Sequence, residues 1–158
     1  MNMHDVSVIL HDIRSSENVG SIFRTADAAG VSKIYLTGYT PAPLDRFKRK
    51  NVKLAKAALG AEEYIAWESC ADIFELLKRL KTEQTMLVAV EQSPRSVPYE
   101  SFVLQGPTAF IFGNEVEGVA RDILDKVDSI IEIPMYGTKE SLNVAVAAGV
   151  VLYRYTAT

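Results

Sequence analysis

The sequence predicts a three-layer α/β domain with a mostly parallel sheet, and three observations support this prediction. Five short runs rich in β-branched residues are apolar throughout, which is typical of strands that are covered on both faces. Longer segments with helical spacing lie between these runs. Glycines and prolines fall where the chain should turn, for example at Gly30, Gly60 and Pro107. A length of 158 residues suits one domain, which we expect to cover residues 1–158.

Each predicted element follows from its own pattern. The predicted strands are 6–10 (VSVIL), 33–38 (KIYLTG), 85–90 (TMLVAV), 108–113 (TAFIFG) and 129–134 (SIIEIP). A half-exposed antiparallel sheet would show alternating residues instead of continuous apolar runs. The predicted helices are 18–29, 70–81, 119–127 and 141–155, with a weaker helical pattern at 50–58.

The last predicted helix contains the segment LNVAVAAGVVLY (142–153), which is apolar around the whole helix axis. A helix of this kind must be buried on all sides. A domain of this size cannot wrap its own terminal helix completely. We therefore expect part of the helix to contact a second subunit, which makes a homodimer.

Composition excludes several classes of protein. No run approaches the roughly 20 consecutive apolar residues that a membrane span needs, and the first residues lack the pattern of an export signal. The single cysteine, Cys70, cannot form an internal disulfide, which suits a reducing compartment and predicts a cytoplasmic protein. The histidines and the cysteine show no spacing typical of metal ligands, so we expect no metal.

Charge is distributed unevenly along the chain. The formal net charge of the chain is −3, but six basic residues and one acid between Pro41 and Gly60 give that window a charge of +5. Such a segment can contact a phosphate backbone, although it can also be an ordinary solvated helix face. The candidate phosphate contacts are Arg46, Lys48, Arg49, Lys50 and Lys53.

The first of three candidate motifs is ENVGSIFRTADAAG (17–30), which follows the first predicted strand. We expect Asn18 to cap the following helix. Gly20 would allow another backbone or a ligand to approach closely. The spacing of Asn18, Gly20 and Arg24 predicts that the asparagine and the arginine lie near one another at the mouth of the helix. The absence of the G-x-G-x-x-G pattern after this strand disfavours a dinucleotide-binding domain.

The second motif is FIFGNEVEGV (110–119), in which an apolar strand ends at Gly113 and an acidic loop follows. The spacing and the lysine of a phosphate-binding loop are missing. Glu115 and Glu117 would repel phosphates, so the loop suits a cationic or hydroxyl-bearing ligand.

The third motif is IEIPMYGTKESLNVAVAAG (131–149), in which a strand ends and Ser141 and Asn143 open the apolar helix. Capping explains Ser141. Asn143 is unfavourable inside a helix unless its side chain has a function.

Taken together and in this order, the three motifs closely resemble the SpoU/TrmH-type RNA ribose 2'-O-methyltransferases of the SPOUT superfamily. The resemblance runs from about Val6 to Tyr153. It implies a C-terminal deep trefoil knot, S-adenosyl-L-methionine as the cofactor, and pairing of two subunits through the last helix. It also implies an RNA substrate, with tRNA preferred over rRNA because the sequence shows no added RNA-binding extension.

The resemblance also implies which residues form the site. Cofactor-binding positions would be Val90, Gly113, Ile133, Met135, Ser141 and Leu142. Catalytic positions would be Arg24, Asn18, Glu115, Ser141 and Asn143. Arg24 would orient the ribose hydroxyl, since a guanidinium is a poor proton acceptor at neutral pH. Two alternatives stay open: a knotted RNA methyltransferase acting on a base nitrogen, and a noncatalytic RNA-binding protein of the same fold.

Overall fold

The computed structural model describes residues 5–156, which contain one sheet of seven strands. The strands are β1 (Val6–His11), β2 (Lys33–Thr37), β3 (Ala66–Cys70), β4 (Met86–Val90), β5 (Val97–Pro98), β6 (Thr108–Phe112) and β7 (Ser129–Glu132). Their order across the sheet is β3-β2-β1-β6-β4-β7-β5, and every pair of neighbours is parallel. The prediction of a mostly parallel sheet is confirmed.

Five helices cover the sheet. They are α1 (Ser16–Ala29), α2 (Val52–Ala58), α3 (Ile73–Thr82), α4 (Arg121–Leu124) and α5 (Val144–Thr156), with a short 3-10 turn at Ala61–Glu63. Side-chain caps fix where α1, α2 and α3 begin, because Ser15, Asn51 and Asp72 accept hydrogen bonds from the first turns of these helices.

The sheet separates two apolar layers, as the three-layer prediction requires. One layer contains α1, α2 and α5 and includes the fully buried Phe23, Phe110 and Val151. The other layer contains α3 and α4 and includes Leu76 and Ile123. Strands β1, β4 and β6 contribute alternate residues to both layers, which is why their sequences are apolar without interruption.

Two strands, β3 and β5, were not predicted from the sequence. Strand β3 (AWESC) lies at the sheet edge and is half-exposed, and its Glu68 is paired with Lys33 and Arg79. Because of these polar residues, β3 lacks the continuous apolar run by which the other strands were predicted. The helix predicted at 70–81 begins only at Ile73, since Cys70 belongs to β3. Strand β5 has two exposed residues, too few for a periodic signal.

Two further predicted helices are shorter than expected. The helix predicted at 119–127 is a single turn, α4, because the chain must turn again to enter β7. The helix predicted at 141–155 begins at Val144, so Ser141 and Asn143 precede it. The weaker pattern at 50–58 corresponds to α2.

The C-terminal helix is tied to the segment that follows β5. The Tyr155 hydroxyl shares its single proton between the backbone carbonyls of Tyr99 and Phe102, and its ring stacks on Phe110 with centroids 5.2 Å apart. Burial raises the pKa of Tyr155 to about 12, so the hydroxyl remains a donor at neutral pH. Arg154 also donates to the Glu100 carbonyl. These bonds fix α5 against the 99–102 segment.

Within residues 5–156, no helix has the length and apolar character needed to cross a membrane. No three His, Cys, Asp or Glu side chains in this range are grouped closely enough to hold a metal ion.

Candidate functional site

A cleft opens at the carboxyl ends of β4, β6 and β7, where parallel α/β sheets bind their ligands. Its walls come from four segments that are far apart in sequence: 90–92, 112–118, 132–135 and 141–147. All six positions expected to bind the cofactor line this cleft, namely Val90, Gly113, Ile133, Met135, Ser141 and Leu142. The second and third motifs therefore meet in space.

The first motif joins them through Glu115. One oxygen of this carboxylate accepts a hydrogen bond from the backbone N–H of Arg14 at 2.9 Å. The other accepts from the backbone N–H of Ser15 at 2.9 Å and from the Asn18 amide at 3.3 Å. The loop after β6 is thereby fastened to the start of α1, where a negative charge also interacts favourably with the helix dipole.

These contacts determine the charge of Glu115. Partial burial by itself would raise the pKa of this carboxyl. The hydrogen bonds from Arg14, Ser15 and Asn18 outweigh burial, so the pKa is lowered. Glu115 is therefore ionised at neutral pH, and both of its oxygens are already used by the protein. This makes it a weak proton acceptor.

Two asparagines complete the junction, and their roles differ from those expected. Ser15, not Asn18, caps α1, because Asn18 lies within the first turn and donates its backbone N–H to the Ser15 hydroxyl at 3.1 Å. The expectation that Asn143 sits inside a helix is also wrong. Its side-chain oxygen accepts from the backbone N–H groups of Ala145 and Val146, so it caps α5.

The Asn143 amide then donates to the Asn18 side-chain oxygen at 3.3 Å. A continuous line of hydrogen bonds therefore runs from Glu115 through Asn18 to Asn143. Each of the three residues comes from a different motif. Ser141 lies on the cleft wall, exposed and outside the helix.

The loop between β6 and α4 holds a narrow turn against the end of β1. A Cβ added to Gly113 would lie 2.4 Å from the Gly118 backbone, so only glycine fits there. The Asn114 side chain accepts from the Val116 and Glu117 N–H groups and donates to the Asp12 carbonyl. Sequence reasoning missed Asn114, although its position directly after a strand-ending glycine was a signal.

Glu91 is a second residue that sequence reasoning missed. It follows β4 at the carboxyl edge of the sheet, and its side chain accepts from the backbone N–H of Val119 at 2.8 Å. Its neighbour Gln92 donates to the Glu140 carbonyl at 2.7 Å, which links two walls of the cleft. Their position directly after β4 was a signal, because parallel α/β sheets bind ligands at the carboxyl ends of their strands.

The cleft is acidic and partly apolar. Four glutamates and no lysine or arginine are present among the described residues that line it. The glutamates are Glu91, Glu115, Glu117 and Glu132. This lining disfavours a polyphosphate ligand and favours a small ligand with a positive charge and an apolar part.

Arg24 does not line this cleft within one chain. It lies six residues beyond Asn18 on α1, which is about 9 Å further along the axis and on a different side of the helix. Its side chain is exposed and makes no hydrogen bond or ion pair with any residue of the described range 5–156. The next residue, Thr25, faces Gly149 of α5. The expectation that Arg24 lies beside Asn18 at the helix mouth is therefore wrong for the isolated chain.

The basic residues predicted to contact phosphates lie on an exposed segment that precedes α2 and on the first turn of that helix. Residues 44–50 are all exposed and form a tight turn closed by an antiparallel bridge between Leu44 and Lys50. The Asn51 amide donates to the Ser16 hydroxyl at 3.1 Å. This bond attaches the segment to the first turn of α1, where Glu115, Asn18 and Asn143 meet.

Comparison with known proteins gives a consistent family. Residues 5–153 match the model of the SpoU rRNA methylase family. The chain is 34% identical over 145 residues to the 23S rRNA (guanosine-2'-O-)-methyltransferase RlmB of Neisseria meningitidis serogroup B. The aligned region covers 92% of this chain and 55% of that protein. The chain spans about half to two thirds of the length of the curated relatives it matches.

Solved structures give the same result. An AdoMet-bound rRNA methyltransferase from Sinorhizobium meliloti superposes with a TM-score of 0.86 at 28% identity, over 98% of this chain and 56% of that one. A structure described as giving insights into the 2-OH methylation of C/U34 on tRNA superposes with a TM-score of 0.81 at 25% identity. This second match covers 96% of this chain and 94% of the other.

Proposed function

The chain belongs to the SpoU rRNA methylase family, and we propose that it transfers a methyl group from S-adenosylmethionine to a ribose 2'-hydroxyl of RNA. One observation carries the proposal: three segments distant in sequence meet at an acidic cleft through the Glu115, Asn18 and Asn143 side chains. A binding protein without catalytic function would not require this arrangement of polar groups beside a small-molecule cleft.

The residues that line the cleft suit S-adenosylmethionine in polarity and charge. Backbone groups at Val90, Ile133 and Met135 would contact the adenine ring, and Leu142 would cover it. The bare backbone at Gly113 leaves room that a side chain would fill. The acidic lining favours a sulfonium cation. When bound, this cofactor supplies an electrophilic methyl group.

The protein must then align a ribose hydroxyl with that methyl group and assist loss of the hydroxyl proton. We assign Arg24 to orienting the hydroxyl and stabilising negative charge on its oxygen, since a guanidinium stays protonated at neutral pH. Asn18, Asn143 and Ser141 would shape the pocket for the ribose. Glu115 acts as a positioning residue, because both of its oxygens bind groups at the start of α1, on Arg14, Ser15 and Asn18.

The strand order supports the knot expected for this family. Strand β7 lies between β4 and β5, although β5 follows β4 directly in the chain. We propose that β7 and the segment after it thread the loop formed by residues 91–107, and that Tyr155 secures the threaded helix against this loop. The cofactor cleft then lies within the knot.

We also propose a homodimer that pairs through α5. Val146 and Tyr153 are 52% and 49% exposed, and Val150 lies on the same side of the helix. Arg24 lies on the helix that packs against α5. Pairing would therefore place Arg24 close to the subunit boundary, where RNA bound to either cleft is within reach.

For the substrate we favour tRNA over rRNA. A structure described as giving insights into the 2-OH methylation of C/U34 on tRNA matches 96% of this chain at 25% identity, which supports this choice. The basic segment at 44–50, attached to α1 beside the cleft, would contact the RNA backbone.

Replacing Arg24 tests the assigned chemistry. Arg24→Ala should reduce methyl transfer by at least about a hundredfold, since it removes a charged group from the reacting centre. Calorimetric binding of S-adenosylmethionine should be unchanged. Asp27→Ala changes another exposed residue of the same helix and is the control. This variant should transfer methyl groups at the wild-type rate. Near-normal transfer by the purified Arg24→Ala protein would refute the assignment.

The reaction itself is tested with labelled S-adenosylmethionine and total RNA from a strain that lacks the protein. Digestion of the product should release a nuclease-resistant dinucleotide, because a 2'-O-methyl group blocks cleavage at the adjacent phosphate. A labelled base in place of a labelled ribose would establish the base-nitrogen reaction and contradict our proposal. Mapping the label then identifies the RNA.

A further inference from the structure

We propose that Phe47, an exposed ring beside Arg46 and Arg49 on the basic turn at 44–50, stacks on an unpaired base of the RNA substrate. The inference rests on the proposed function for the identity of the ligand and extends it to a residue that the reaction chemistry does not involve.

Phe47 lies at the protein surface, where the aromatic ring contributes little to stability through burial. Its side chain is 63% exposed, although an aromatic ring normally contributes its large apolar area to a core. The Arg46 guanidinium carbon lies 4.7 Å from the ring centroid and that of Arg49 lies 5.1 Å from it. The three side chains form one aromatic and cationic cluster.

The turn that carries the cluster is ordered by its own hydrogen bonds. One Asp45 side-chain oxygen accepts from the backbone N–H groups of Phe47 and Arg49, at 2.8 and 2.9 Å. The other accepts from the Arg49 side chain at 2.8 Å. Lys48 has φ +62°, the left-handed conformation that closes such a turn. A ring held this way loses little conformational freedom when a ligand binds.

The surrounding charge selects the class of ligand. Arg46, Lys48 and Lys50 make no ion pair with any side chain of the described range, so their charges are available to an anion. Aromatic rings and guanidinium planes stack on unpaired bases, while lysines bind the neighbouring phosphates. Paired bases in a duplex do not expose their faces. The cluster therefore fits single-stranded RNA, as found in a loop.

The location of the turn connects this contact to the reaction. Asn51 attaches the turn to Ser16, two residues from Asn18. A nucleotide stacked on Phe47 would thus be a neighbour of the methylated nucleotide in the same loop. Phe47 would act in selecting and orienting RNA, not in the methyl transfer itself.

The test measures binding of a labelled 12-nucleotide RNA in single-stranded form and in a 12-base-pair duplex. The wild-type protein should prefer the single strand. Phe47→Leu should weaken single-strand binding on the order of tenfold and leave duplex binding unchanged, because one base stack is lost. Phe47→Trp should retain the preference, and its added fluorescence should be quenched by the single strand. Arg46→Gln should instead lower the dependence of affinity on salt.

Phe74→Leu is the matched control. Phe74 is also exposed, at 39%, but it lies on α3, in the layer on the opposite side of the sheet from α1 and α2. The Phe74→Leu protein should bind the single-stranded and duplex RNAs with the same affinities as the wild-type protein. Equal single-strand binding by Phe47→Leu and the wild type, or no preference for single strands in the wild type, would overturn the inference. Absence of methyl transfer with the binding pattern intact would instead count against the proposed function alone.

Discussion

At the scale of single residues, the site depends on polar side chains that hold protein segments together as well as on those that face a ligand. Glu115 illustrates this, because its charge is used to join the loop after β6 to the start of α1. Asn143 has two functions at once: it caps α5 and bonds to Asn18. Local geometry and site geometry are therefore built from the same atoms.

Glu115→Gln should destabilise the protein by about 1–2 kcal/mol at pH 7, since an amide cannot accept as strongly from three donors. The folded pKa of Glu115 lies below the ordinary value of 4.5, so its stabilisation is complete above about pH 4.5 and is lost as the pH falls through the folded value. Urea unfolding at several pH values measures this.

The difference between wild type and Glu115→Gln should therefore shrink in acid. Glu117→Gln serves as the control, because Glu117 is exposed in the same loop and should give no difference at any pH. A constant difference down to pH 3 would show that the charge of Glu115 is not the source of the stabilisation.

At the scale of elements, the close packing of α1 on α2 fixes the position of the basic turn. Gly20 was expected to permit close approach of a backbone or a ligand, and in the structure the approaching group is the backbone of α2. The contact sets the distance between the two helices. Together with the Asn51 to Ser16 bond, it holds the turn near the cleft.

Gly20→Ala should be strongly destabilising, because the added Cβ would lie 2.3 Å from the Leu54 carbonyl oxygen. Backbone cannot yield as a flexible side chain can, so we expect a loss of about 2–3 kcal/mol in the free energy of unfolding. Gly106→Ala is the control, since nothing lies within 4 Å of its added Cβ. Urea unfolding gives the free energy of unfolding of both variants. Equal values for Gly20→Ala and Gly106→Ala would refute this account of the contact.

At the scale of the whole molecule, the apolar last helix remains only partly covered in one chain. Its inner side, with Val151 and Leu152, is fully buried against the sheet. Its outer side exposes Val146 and Tyr153. Burial of this outer side in a second copy accounts for the sequence of α5, because a helix that is apolar on every side needs apolar neighbours on every side.

Tyr153→Lys should convert the proposed dimer to a monomer, because a charge would replace apolar area at the subunit boundary. Sedimentation equilibrium measures the change in mass. Tyr64→Lys is the control: Tyr64 is 81% exposed and lies outside α5, so its replacement should leave the mass unchanged. A wild-type protein that sediments as a monomer at micromolar concentration would refute the dimer.

The sequence by itself determined the parallel α/β class, the central strands and the family, because buried strands and the three motifs carry signals within a few consecutive residues. Residues that proved to line the cleft, such as Gly113 and Met135, followed from that family resemblance. Edge strand β3 left no such signal, since half-exposed strands accept polar residues.

Only the tertiary structure decided how the motifs meet. The bonds from Glu115 to the backbone just before α1 and from Asn143 to Asn18 join residues a hundred positions or more apart, and no local pattern encodes such contacts. The same holds for the insertion of β7 between β4 and β5, which depends on the path of the whole chain. Local propensity specifies elements, whereas the packing of distant elements specifies which side chains share a site.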